Sequence, residues 1–375
     1  MGKSNDFIKF IMASNIIMVV AFHKGINFFE FIYFPGDTFR IPLFVVIGGY
    51  LFKDKYINDI VSYVSKKIKC LMLPYYFLNS LYGMLCCFMR DKNIIQYGVK
   101  VDLMSLIVYP FIDGLQFGLN TSMWFVPQLF TIQVLYIIIR KAVIYIPPYN
   151  KYLFVKNFIL LIILTFIGCC GVTYVNQCIN IKSYIAFACR TIYLLPFFHL
   201  GCIYKSFFEE KIKDKPGSFT YFLLLGLIQL FLIDKYTPMS VIGNKYIINP
   251  FVCYLLALTG IMFMWRLSSM LYLCCRDNMY IKYIGENTWT VMSFHQIVFF
   301  VINYVIYCTQ PYYDIQGFDT NEFKNDFWYT YKKDNIIMIL FYILSGVVIP
   351  IITKYKLENF LHNNVFRKIK IFWIN

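Results

Sequence analysis

Ten stretches of this chain are apolar for long enough to cross a lipid bilayer, and that decides what it can fold into. A spanning helix needs about 20 mainly apolar residues at ~1.5 Å each. Windows that meet this fall at 7–27, 34–52, 70–89, 122–139, 157–175, 184–204, 219–234, 246–265, 283–308 and 336–353. The seventh is closed early by Asp234 and Lys235. Composition agrees with the windows. Hydrophobic residues make up 59% of the chain and charged ones 15%, against about half and about a quarter in a soluble domain. One globular core has no place for that excess. The expected fold is all-α and polytopic, one transmembrane domain over residues 1–375. The longest connections, 90–121 and 309–335, are too short for a second folded domain.

The net charge of +15 suggests nucleic acid until its distribution is examined. With the N-terminus inside, Lys and Arg near the inner ends outnumber those near the outer ends by roughly two to one. Asp and Glu divide slightly the other way, so the inner face holds nearly all of the excess. This positive-inside bias places both termini in the cytoplasm and explains the charge without a nucleic-acid partner. The first apolar stretch lacks a small-x-small cleavage site and reads as a span, not a leader. The 12 cysteines lie in apolar stretches with no metal-type spacing and no disulfide framework. They read as small buried hydrophobes, and no metal is expected.

Ionisable side chains at membrane depth are costly and point to function. Arg40 stands 13 residues before Lys53, about 20 Å of helix against a hydrocarbon core of about 30 Å. If Lys53 marks the inner surface, Arg40 is submerged. His23 lies about 24 Å up from Phe7, and His295 about 18 Å up from Tyr283. These three groups come from three helices and reach similar depths in the outer half of the bilayer. Gly48-Gly49 leaves backbone open to close approach by a helix or ligand. His199, nearer the inner end of its span, reads as structural, and His362 as solvated in a basic tail. Lys66, Lys67 and Lys69 in "SKKIKCLMLPYYF" suit either an inner-face anchor or a phosphate site. Trp124 in "TSMWFVPQLF" suits an interfacial belt or stacking on a sugar ring.

Four blocks together resemble the integral-membrane acyltransferase 3 family, which includes bacterial O-acetyltransferases of surface polysaccharides. They are "IIMVVAFHKG", "FRIPLFVVIGGYLF", "SMWFVPQLF" and "YIGENTWTVMSFHQ", in the family's order over residues 16–296. The resemblance implies a cytoplasmic acyl-CoA donor, usually acetyl-CoA. It also implies an acceptor hydroxyl on a glycan or lipid-linked sugar, in the bacterial inner membrane. His23 then matches the family's first-helix histidine, essential for transfer. Arg40 matches the arginine of the second block. Lys66 and Lys69 match an R-x-x-R pair that meets CoA phosphates. His295 is the late-block histidine, and it joins Trp124 as a candidate substrate contact. Some positions depart from the family pattern. Met12 stands where an arginine is frequent, and Lys9, on nearly the same helix face, is the candidate replacement in donor binding. Gly48 replaces a serine, and Met292 a tyrosine.

The chemistry implied is acyl transfer to a hydroxyl. A neutral imidazole accepts the hydroxyl proton, and a fixed guanidinium stabilises the developing oxyanion or orients the donor. The alternative is a transporter of glycans or lipid-linked sugars without transfer activity. Such folds often repeat a half with interrupted helices, and no repeat is visible here. A glycan polymerase would be expected to carry a large basic outer loop, which is also missing.

Overall fold

The structure, a computed structural model, describes residues 2–23, 38–145, 153–178, 180–212, 219–236, 239–313, 315–332 and 335–364. These residues are helical, joined by turns, with no β-strand among them beyond one bridge between Ser240 and Lys245. The first helices are α1 (Gly2–His23), α2 (Arg40–Tyr50), α3 (Ile60–Lys67), α4 (Leu73–Asp91) and α5 (Phe125–Ile144). Next come α6 (Leu153–Gln177), α7 (Ser183–Ile203), α8 (Glu209–Ile212), α9 (Phe219–Tyr236) and α10 (Pro250–Cys275). The last are α11 (Met279–Glu286), α12 (Thr288–Thr309), α13 (Thr320–Asn325) and α14 (Ile336–Asn364).

Among the described residues, nine helical segments are long and apolar enough to cross a membrane. Each falls on an expected span, including the early-closed one at Phe219–Tyr236. The remaining span, 34–52, appears as α2, which has 11 residues and so measures about 16 Å. Residues 34–37 of that span and 24–27 of the first lie outside the described residues. The span expected at 283–308 is not continuous. It breaks at Asn287 into α11 and α12. There Asn287 Nδ2 donates back to the Tyr283 carbonyl at 2.8 Å, and Lys354 Nζ donates to Asn287 Oδ1 at 2.7 Å.

The third span is the longest, 32 residues over Ile60–Asp91, or about 48 Å. Asp59 caps it by accepting from the Ser62 N–H at 2.9 Å. A π-turn at Ile68–Met72 interrupts it two residues before Pro74. Proline clashes with the carbonyl four residues back, and a widened turn relieves that clash. Its length exceeds the hydrocarbon core of about 30 Å, which lets the lysine-bearing end project beyond the lipid.

Contacts divide the chain into two compact units. The first holds Met1–Phe28, Cys70–Val126 and Cys275–Asn375, and the second Phe29–Lys69 and Pro127–Cys274. In the first unit, α1 packs against α11, α12 and α14. Gly285 allows the closest approach: a β-carbon there would overlap the Lys9 carbonyl. In the second, α2 crosses α7 with backbone nearly touching backbone. A β-carbon on Gly49 would overlap the Phe198 carbonyl, and one on Gly201 the Val46 carbonyl. The close approach expected at Gly48-Gly49 is therefore to a helix. Rows of exposed apolar side chains, such as Phe158, Ile162 and Phe166 on α6 and Leu227 and Phe231 on α9, face outward. Surfaces of this kind need lipid. The protein is a multi-pass membrane protein.

Candidate active site

The last residue of α1 meets the second turn of α12. His23 Nδ1 and His295 Nε2 are 2.6 Å apart. Their rings are parallel within 2°, with centroids 4.9 Å apart. That separation is what the nitrogen–nitrogen distance and two ring radii give when coplanar rings meet edge to edge. The contact is therefore an in-plane hydrogen bond, not a stack. It brings together two residues 272 positions apart.

The tautomers follow from the next bond in the chain. His295 Nδ1 lies 2.8 Å from the Val291 carbonyl, four residues back on α12. A carbonyl only accepts, so His295 Nδ1 carries the proton. In the neutral ring its Nε2 is then an acceptor, and the proton between the two rings belongs to His23 Nδ1. In the neutral pair, the lone pair of His23 is consequently on Nε2. One ring is buried with no exposure and the other is partly exposed. This is the arrangement of a base held by an orienting partner.

His23 lines a pocket shared with Gln296, Asn303 and an aromatic wall. Trp328 stands against His23, ring centroids 5.0 Å apart and 34° between planes. Tyr97 packs edge-on against Phe327 at 5.9 Å. Burial, aided by Cys86 and Asp326, pushes the Tyr97 phenol above its ordinary range, so it stays an O–H. Asp326 supplies a carboxylate to the lining, and no Lys or Arg is among the described lining residues. Hydrogen bonds brace α12 on either side of His295. Tyr82 Oη donates to the Ser293 carbonyl at 2.6 Å, and Ser122 Oγ to the Met292 carbonyl at 2.7 Å. Asn303 Oδ1 accepts from Tyr342 Oη and from the Tyr331 N–H, while its amide donates to the Tyr329 carbonyl at 2.8 Å.

The other candidate residues have different surroundings. Lys9 is paired with Glu286 at 2.6 Å and Asp6 at 3.5 Å, so carboxylates already meet its charge. Trp124 is 6% exposed, its β-carbon against Gly114, and is not among the pocket residues. Arg40 opens α2 in the second unit and is 5% exposed. Lys66 and Lys69 are exposed in that same unit. Lys66 Nζ donates to Tyr56 Oη at 3.3 Å. The ammonium groups of Lys55 and Lys66 both lie over the Tyr56 ring, at 5.4 and 5.8 Å. The Lys66 hydrogen bond, helped by the charges of Lys66, Lys55 and Lys53, pulls the Tyr56 phenol below its ordinary range. Such a concentration of positive charge suits an anion.

His199 has both ring nitrogens occupied inside the second unit. Nε2–H donates to the Asn157 carbonyl at 2.9 Å, and Tyr136 Oη donates to Nδ1 at 2.9 Å. The side chain of His362 lies outside the described residues. Among the described residues, no group of three or more His, Cys, Asp and Glu is placed to hold a metal ion. Gln296, Tyr97, Asp326 and Trp328 were not singled out by the sequence. Gln296 follows His295 directly in "SFHQ", and the other three lie in the two longest connections.

A family model described as an acyltransferase domain matches residues 8–355. No curated protein and no solved structure matches the chain.

Proposed function

Because the chain belongs to the acyltransferase 3 family, and is therefore a membrane acyltransferase, we propose that it moves an acetyl group from acetyl-CoA to a hydroxyl of a surface glycan or its lipid-linked precursor. The observation that carries this reading is the hydrogen-bonded chain from Val291 through His295 to His23, ending at the pocket. His23 Nε2 takes the proton of the acceptor hydroxyl as its oxygen attacks the thioester carbonyl. An oxygen–carbon bond forms, the carbon–sulfur bond breaks, and the departing sulfur receives the proton from His23. His295 Nε2 keeps accepting from His23 Nδ1 throughout, a bond that strengthens when His23 is charged. His295 is thus a positioning residue.

The aromatic lining, with no Lys or Arg among its described residues, supports assigning the pocket to the acceptor, since CoA phosphates need cations. Lys66 and Lys69 are the groups proposed for those phosphates, and Arg40 for the polar part of the donor. Lys9, already ion-paired, is the weaker donor contact. The basic inner loops support cytoplasmic termini, and the bacterial inner-membrane location is carried by the family resemblance alone.

The test compares host cells carrying the wild-type chain with cells carrying His23→Ala. Mass spectrometry of surface glycans should show one acetyl mass lost in the variant, with equal protein in the membrane. Unchanged acetylation in His23→Ala would remove the histidine from the mechanism.

A further inference from the structure

Gln296 is 7% exposed and lines the same pocket as His23. Its oxygen is committed: Oε1 accepts from Thr121 Oγ1 at 2.8 Å and from the Ser122 N–H at 3.1 Å. A backbone N–H only donates, so the amide cannot be turned over, and its NH₂ faces away from both. That nitrogen is buried and has no hydrogen-bond partner in the protein. Buried amide donors are rarely left so, because desolvation is not returned until an acceptor arrives. Asn303, two turns further along α12, makes the contrast. Its oxygen and its nitrogen are both matched within the protein, and it is a brace.

We propose that Gln296 Nε2 donates a hydrogen bond to a second oxygen of the acceptor, beside the hydroxyl that His23 deprotonates. Gln296 is then a specificity residue. It selects acceptors that carry an oxygen next to the reacting hydroxyl, such as sugar rings, over simple alcohols. The inference rests on reading this pocket as the acceptor site. A site built to hydrogen-bond one group discriminates against the analogue that lacks it.

The test uses the full-length protein in membranes, acetyl-CoA, and two ring alcohols of nearly equal shape. Hydroxytetrahydropyran has a ring oxygen that can only accept; cyclohexanol has a methylene there. The wild type should prefer hydroxytetrahydropyran in kcat/KM by about tenfold, the ordinary worth of one hydrogen bond. Gln296→Met should erase the preference. Gln296→Glu keeps an oxygen for Thr121 and Ser122 and, at a pH where its carboxyl is ionised, offers no donor and should also erase it. A wild-type preference that survives in both variants, or equal use of the two alcohols by the wild type, overturns the role of Gln296 while leaving the pocket as the acceptor site. A wild type that acetylates neither alcohol overturns the acceptor pocket itself, and this inference with it.

Discussion

Two histidine networks, one in each unit, show how similar parts serve different ends. In the second unit, Tyr136, His199 and Asn157 form a closed circuit. Every ring nitrogen has a partner inside the protein, and Arg140 donates to Asn157 Oδ1. In the first unit, the chain from Val291 through His295 reaches a histidine that is partly exposed and lines a pocket. Both begin with a carbonyl that fixes a tautomer. Only one includes a ring that lines a pocket. Burial of a histidine therefore says little about function; where its hydrogen-bond chain ends says more.

The sharpest way to break this contrast is His295→Ala. Loss of its orienting partner should cut transfer on the order of 10²-fold through kcat, with donor KM unchanged. His295→Gln, with an amide oxygen near the lost Nε2, should recover part of that. Equal activity in both variants and the wild type would make the inter-histidine bond incidental.

His199→Ala should behave in the opposite way. It removes two buried hydrogen bonds, worth about 0.5–1.5 kcal/mol each, and leaves a cavity where the ring packed. Thermal unfolding in detergent should fall, while transfer per folded molecule stays at the wild-type level. Tyr136→Phe removes one hydrogen bond and should cost about 1 kcal/mol in the same assay, again with transfer intact. Any loss of turnover per folded molecule in these two variants would erase the distinction between the networks.

Part of the first unit's arrangement was legible in the sequence, and for a physical reason. A buried ionisable side chain is costly in lipid, so His23 and His295 stood out, and helical rise alone gave them similar depth. Their contact also needed α1 packed beside α12, which follows from Gly285 and the break at Asn287. Neither feature changes hydropathy. The pocket wall was hidden for another reason. Tyr97, Asp326 and Trp328 lie in polar connections, where spacing carries no period that places them on a common face. Gln296 was hidden because a neutral amide in a span resembles packing until its partners are known. In the second unit, the glycine pair announced a close approach, and only the structure identified the α7 backbone as the neighbour. Lys9 and Trp124 have surroundings that spacing does not carry: Lys9 is ion-paired with Glu286 and Asp6, and Trp124 packs against Gly114.

The most direct test of the account is chemical capture of the lone pair on His23. Diethyl pyrocarbonate attacks unprotonated imidazole nitrogen, and peptide mapping reports where it lands. The account predicts an adduct on His23, none on His199 or His295 in the folded protein, and loss of transfer in step with the His23 adduct. Full transfer by protein already modified at His23, or modification of His199 as fast as His23, would contradict it.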